Sequence, residues 1–323
     1  MIKSLEIKNF KSIKHLSLDC KRVNLFIGKP NTGKSNLLES VGIFSLPFAS
    51  SGLKDFIRFE NVANLFYDQN VNERIEIIAD RISLVVSFFH EKLRINHTHR
   101  DANERAVTFE SEFDYSGKGN LEFSPAQIKF YRFLALERFT RWETSFLLPP
   151  RGENLLQILL THKDLRKIAA NFFSEYGLKM ALKPQEQNIE VQKDFEEVIV
   201  SYPYSLVSDT LQRAIFYHAA IETNKDSTLI FEEPEAHSFP FYTKFLAERI
   251  ALDASNQYFI TTHNPYFLSS VLEKTPISDV AIFITYMEDY QTKVRPIALE
   301  EMPEILDLDA SVFFNLERFL GEL

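Results

Sequence analysis

The stretch VNLFIGKPNTGKSNLLES, residues 23–40, decides the fold. The apolar run VNLFI stops at Gly28. Five residues on, Gly33 is followed by Lys34 and Ser35, and SNLLESVGIF then carries apolar residues at helical spacing. Strand, glycine-bounded loop and helix in that order gather several backbone N–H groups around one anion. Glycines allow the tight turn, and the helix directs its positive end at the same point. The spacing predicts a nucleotide-phosphate loop over Gly28, Asn31, Thr32, Gly33, Lys34, Ser35 and Asn36. Lys34 is set against the β- and γ-phosphates of ATP, and the Ser35 hydroxyl is offered to Mg2+. Kinases, motors, switches and transport engines all use such a loop, so the distinction has to come from further along the chain.

Three later segments supply it. In TLIFEEPEAH, residues 228–237, an apolar strand ends in Glu232 and Glu233. Side chains of consecutive strand residues diverge, so Glu232 can join the magnesium shell while Glu233 polarises a water for attack on the γ-phosphate. Pro234 then stops the strand. In QYFITTHNP, residues 257–265, a second apolar strand ends in Thr262-His263, which places His263 to donate to the γ-phosphate. In YSLVSDTLQRAIFYHAAI, residues 204–221, Ser208-Asp209-Thr210 opens an amphipathic helix. Its plain reading is an N-cap. Its functional reading is a helix start that presents Ser208 and its N–H groups to the γ-phosphate of another subunit. Taken singly, an acidic strand end is usually solvated and a turn histidine usually bonds to backbone. Their order behind a phosphate loop is what favours function.

Bulk properties narrow the class. A chain of 323 residues buries a sizeable core. Its 45% hydrophobic and 25% charged residues are ordinary for a globular protein, and its 30 Phe suit an aromatic-rich interior. The net charge of −9 gives no overall basic footprint for nucleic acid, although Lys54, Arg58, Arg94 and Arg100 are scattered candidates for a local groove. The only cysteine, Cys20, excludes an intramolecular disulfide and suits a reducing cytosol. MIKSLEIKNFKSI lacks the apolar core of a secretory signal, and no apolar run reaches the length of a membrane span. The expectation is a cytoplasmic protein without a membrane partner.

SLEIKNF and HLSLDC alternate as half-buried strands do. Between about 60 and 135, IEIIADRISLVVSFFHEKLRIN, AVTFESEFDYSG and AQIKFYRF predict short antiparallel strands. ENLLQILLTHKDLRKIAANFFSEY predicts one or two amphipathic helices, and IEVQ and EVIVSY further strands. From residue 208 on, helices alternate with apolar strands, which implies a parallel sheet. The expected fold is α/β, one nucleotide-binding core over 1–323 with a β-rich and helical lobe inserted at about 50–195.

These segments, in this order, resemble the ABC-type ATPase heads of the RecF, Rad50 and SMC group, and most closely the OLD-type and AAA15 ATPases of bacterial defence islands. LEIKNFKSI, GKPNTGKSNLLES, RGENLLQIL, LIFEEPEAHSFP and FITTHNP carry the resemblance, over roughly 1–45 and 145–270. It implies a phosphate-loop fold in which a mixed, largely parallel core sheet adjoins an N-terminal antiparallel sheet. It also implies two heads paired head-to-tail around two ATP molecules. In that scheme Lys34 and Ser35 are the Walker A contacts, Glu232 the Walker B carboxylate, Glu233 the base and His263 the switch histidine. Ser208 is the signature serine acting in trans, and Lys11 and Ser12 border the adenine. VSDTLQR departs from the group, with Thr210 where a signature glycine usually stands, and Gln127 is not fixed as the glutamine of the Q-loop. The chain has no coiled-coil arm and no CxxC hook. About 50 residues follow NPYFLSSV, too few for the nuclease domain of the OLD proteins. The expected function is an ATPase subunit, dimeric or higher, controlling a separate nuclease or toxin. A RecF-like DNA clamp and an ATP-locked scaffold of slow turnover are the alternatives.

Overall fold

In a computed structural model, the chain is described over residues 1–321 except 51, 102, 121, 123–126 and 141–143. It opens with a hairpin, β1 (Ser4–Phe10) and β2 (Ile13–Asp19). One face of that hairpin, Leu5, Ile7, Leu16 and Leu18, is buried, as the period-2 pattern requires. Cys20 follows β2 and is buried too. β3 (Val23–Gly28) is buried along its whole length and runs into the glycine loop and α1 (Lys34–Gly42). The chain then returns to the hairpin. β4 (Ile75–Ala79), β5 (Ile82–Phe89), β6 (Lys92–Arg100), β7 (Ala106–Phe113) and β8 (Gly119–Asn120) extend it. The result, among the described residues, is a seven-stranded antiparallel sheet in the order β2-β1-β4-β5-β6-β7-β8. Much of the expected inserted segment thus continues the sheet that the first residues begin.

The strand expected from AQIKFYRF lies elsewhere. β9 (Ile128–Tyr131) is not part of the antiparallel sheet; it runs parallel to a core strand, with Ile128 opposite Thr228. Ala126 lies outside the described residues. Two helices, α2 (Leu155–Thr161) and α3 (Lys163–Ser174), precede a small antiparallel sheet of β10 (Lys179–Lys183), β11 (Asn188–Phe195) and β12 (Val198–Pro203). Next come α4 (Asp209–Thr223), β13 (Thr228–Glu232), α5 (Pro240–Leu252), β14 (Gln257–Thr261), α6 (Pro265–Lys274), β15 (Val280–Glu288) and β16 (Gln291–Pro296). The short helices α7 (Met302–Leu308) and α8 (Glu317–Leu320) follow.

The core sheet has the order β16-β15-β3-β14-β13-β9 among the described residues, parallel except for β16. Both of its faces are covered, which is why its strands read as unbroken apolar runs. Leu25, Ile27, Leu229, Phe231 and Ile260 pack with residues of α4, α5 and α6. Phe26, Ile230, Phe259 and Phe283 pack on the opposite side with α1 and the antiparallel sheet. There the Phe26 ring stacks on Phe283 at 5.1 Å and Phe259 at 6.1 Å, which accounts for part of the phenylalanine content. Because β3, β14 and β13 are parallel neighbours, the turns that leave their C-terminal ends meet at one edge. That edge of an open parallel sheet is where ligands bind.

Candidate nucleotide site

The loop between β3 and α1 takes its shape from residues that tolerate positive φ. Gly33, at φ 89°, precedes α1, and a Cβ there would lie 1.9 Å from Thr292 Oγ1 on β16. Asn31 also has positive φ, at 62°. The Thr32 hydroxyl donates to the Lys29 carbonyl at 2.9 Å and lies 2.7 Å from Thr285 Oγ1, so the loop is braced against β15. Lys34 donates to the carbonyls of Gly28 and Lys29 at 2.9 and 2.7 Å, folding its ammonium over the loop. Burial, partly offset by Glu233, brings that ammonium down to about 8. A pocket of about 430 Å3 opens here, lined by the loop together with Ser12, Asn36, Arg58, Glu233, His263 and Met287. A larger cleft of about 760 Å3, lined by Met1, Asp80, His99, Gln127 and Thr228, lies at the opposite ends of the core strands. The residues of the glycine loop line the smaller pocket and not this cleft, which makes the smaller pocket the candidate site.

Glu233 leaves β13 in the left-handed region, at φ 43°, uncommon for a residue with a side chain. Its N–H holds it there by donating to Thr261 O at 3.1 Å and Thr261 Oγ1 at 3.2 Å. This turns the Glu233 carboxylate toward the next strand, where Oε1 meets His263 Nε2 at 3.3 Å. Desolvation and the Lys34 charge hold the imidazole below its ordinary value, against the pull of Glu233.

Glu232 points into a charge network that the sequence reading did not find. Its Oε1 accepts from Arg58 Nη2 at 3.1 Å and its Oε2 from Arg132 Nη2 at 3.0 Å. Arg58 Nε also donates at 2.6 Å to Glu39, a fully buried residue of α1 that Lys11 pairs with as well. Arg132 approaches the same Glu39 oxygen at 3.5 Å. Three cations thus face two carboxylates beside the phosphate loop. The partners lie up to 174 residues apart in sequence, and Glu39 reads there as an ordinary polar helix position. Arg58, which the sequence suggested for a nucleic-acid groove, lines the phosphate pocket instead. Arg94 is paired with Glu112 across β6 and β7.

Of the expected contacts, Gly33, Lys34, Ser35, Asn31, Thr32, Asn36, Ser12, Glu233 and His263 come together in the pocket. Gly28 sits just behind them, its carbonyl on Lys34. Ser12 is held by Asn36 Nδ2 at 2.7 Å and by Thr292 Oγ1 at 2.7 Å. Lys11 turns away, bonding to Glu39 and to the Arg58 carbonyl at 2.6 Å, and does not border the pocket. Gln127 lies beside the first residue of β9, and the end nearer the site carries Arg132 instead. Ser208 is exposed at the start of α4 and does not line the pocket of its own chain.

The site suits a magnesium triphosphate. The loop offers backbone donors, Lys34 and a half-exposed Arg58, for phosphate oxygens. Mg2+ held with a nucleotide keeps water and phosphate oxygens in its shell and asks only one or two oxygens of the protein. Ser35 and Glu232 can supply these once Glu232 releases a guanidinium.

Residues 1–138 match the family described as AAA ATPase domain, AAA15. A Helicobacter pylori protein named "ATP/GTP phosphatase" is 23% identical over 330 residues, which cover 83% of this chain and 86% of that one. Among solved structures, an SMC head bound to the C-terminal winged-helix domain of ScpA superposes with a TM-score of 0.54 at 17% identity. The match covers 93% of this chain and 99% of that one. The SMC head domain from Thermotoga maritima gives a TM-score of 0.42 at 14% identity, over 92% and 99%. Among the described residues no helix is long and apolar enough to cross a membrane. Residues 1–138 thus match an AAA15-type ATPase domain, and the chain has the fold of an SMC head.

Proposed function

We propose that the chain binds MgATP in this pocket and hydrolyses it in a head-to-tail pair, and that pairing controls a separate effector protein, a nuclease or toxin of a cytoplasmic anti-phage system of the OLD type. The observation that carries the ATPase chemistry is the Glu233–His263 pair, 3.3 Å apart across the pocket from Lys34. Bound MgATP supplies the phosphorus electrophile, and its metal neutralises charge on the leaving diphosphate. Lys34 and the loop N–H groups hold the phosphate chain. Glu233 orients the attacking water and takes its proton, and His263 donates to the γ-phosphate side. Ser35 and Glu232 are the protein's oxygens for the metal.

The pairing rests on Ser208. It is exposed and opens α4, so a second copy is needed to bring that helix start to a phosphate. Arg58 and Arg132 on Glu232 support a second reading, slow turnover, since the metal has to compete for that carboxylate. A DNA clamp gains no support from Arg94 or Arg58, whose charges are spent on Glu112 and on the site.

Phosphate release and nucleotide binding by wild type, Glu233→Gln and Lys34→Ala test this. Glu233→Gln should cut turnover by about a hundredfold and keep ATP bound. Lys34→Ala should lose the nucleotide. Unchanged ATP affinity in Lys34→Ala overturns the reading.

A further inference from the structure

The turns that follow β13 and β14 are tied together beneath the pocket by a buried carboxyl group. Glu235, 5% exposed, accepts from the Thr262 hydroxyl at 2.5 Å. Thr262 Oγ1 in turn accepts from Asn264 N at 3.0 Å, and Asn264 Oδ1 caps α6 through Phe267 N at 3.2 Å. Residues 262, 263 and 264, which carry the imidazole out of β14, therefore hang on one side chain of the neighbouring turn. That side chain is two residues beyond Glu233. Its second oxygen, Oε2, is buried without a hydrogen-bond partner among the described residues. An orphaned buried oxygen costs stability that an apolar residue of similar size would avoid. Packing alone does not call for a carboxyl group here; holding the histidine turn does.

We propose that Glu235 is a positioning residue for hydrolysis: through the hydroxyl of Thr262, the residue before His263, it fixes the imidazole against the Glu233 carboxylate, so the base and the histidine keep their spacing as nucleotide enters. This rests on the reading of Glu233 as the base. The phosphate loop hangs from β3, outside this linkage, so nucleotide binding is spared when the linkage is cut.

The test compares ATP turnover by wild type, Glu235→Ala, Glu235→Gln and Thr262→Val, with amide hydrogen exchange of the nucleotide-free proteins. Glu235→Ala should lower kcat by about tenfold or more with KM within about twofold. Glu235→Gln keeps an acceptor for Thr262 and should recover most of that loss. Thr262→Val should match Glu235→Ala, and the double variant should be no worse than either single one, because both cut one linkage. The His263 amide should exchange about tenfold faster in Glu235→Ala while the amides of Lys34 and Ser35 keep their wild-type rates. A kcat within about twofold of wild type in Thr262→Val, with His263 exchange unchanged, overturns the proposal even if Glu235→Ala does not fold. Should Glu233→Gln turn over normally, the base assignment fails on its own, and the exchange measurement still decides whether Glu235 holds the histidine turn.

Discussion

Burial moves Lys34 and Glu235 toward neutrality from opposite sides. Lys34 is brought down to about 8, and its cation is the form that meets phosphate. The affinity of the free protein for ATP should therefore hold below about pH 8 and fall above it, by up to about tenfold per pH unit. Equilibrium binding between neutral and alkaline pH checks this, and Lys34→Arg, always charged, should lose the slope whatever its affinity. Glu235 is pushed up from 4.5 to about 7, chiefly by desolvation. Between those values the folded chain keeps a proton that the unfolded chain releases, so stability falls as pH rises through that window and levels off above it. Glu235→Gln cannot ionise and should lack this loss, ending more stable than wild type above pH 7 by on the order of 2–3 kcal/mol. Paired urea melts across the window measure the difference. None of these shifts was legible in the sequence. Glu235 reads there as one more acid after Glu233, and its burial is set by how two distant turns pack.

At the scale of elements, the loop and the strands that feed it were legible because each carries its own local signal. VNLFI is a buried strand, the glycines sit where φ is positive, and the helix follows at once. The apolar run IKFY has no such signal, since four buried residues fix neither direction nor partner. Only pairing with β13 made it a parallel core strand. The Glu39–Arg58–Glu232–Arg132 network was illegible for a related reason: it joins four segments through side chains alone. The fit of the glycine loop against β16 gives a prediction of its own. Gly33→Ala meets both a φ of 89° and Thr292 Oγ1 at 1.9 Å, and should cost about 1–3 kcal/mol in stability as well as most ATP affinity. Adding Thr292→Ala removes the Oγ1 contact but leaves the Cβ of residue 292 at 2.9 Å and the positive φ, so thermal melts and binding should show partial recovery.

For the whole molecule, the sequence placed the two ends of the chain in one core, and β3, β13 and β14 do lie side by side. The middle was harder to read, because antiparallel strands between 75 and 120 signal a sheet without saying that it continues β1 and β2. The surface around Ser208 has its own composition. Thr210 Oγ1 donates to the His237 carbonyl at 2.9 Å, which brings the start of α4 beside the turn before α5. Leu206, Phe239 and Phe241, all more than half exposed, flank that junction. If this face meets a second head, light scattering of Glu233→Gln with MgATP should show twice the 37.6 kDa of one chain. Phe239→Glu should abolish the doubling and leave ATP affinity within about twofold, since Phe239 does not line the pocket of the phosphate loop.

Cys20 has a practical consequence for such measurements. Its thiol is buried behind the first hairpin and pushed up to about 12, so almost none of it is thiolate near neutral pH. Maleimide and nitroxide reagents should pass it over while the fold is intact. A single cysteine introduced at an exposed site such as Tyr290, 91% accessible, would then carry the only spin label or dye on each chain. Distances between two copies could be followed through a nucleotide cycle in a protein that still has its native thiol.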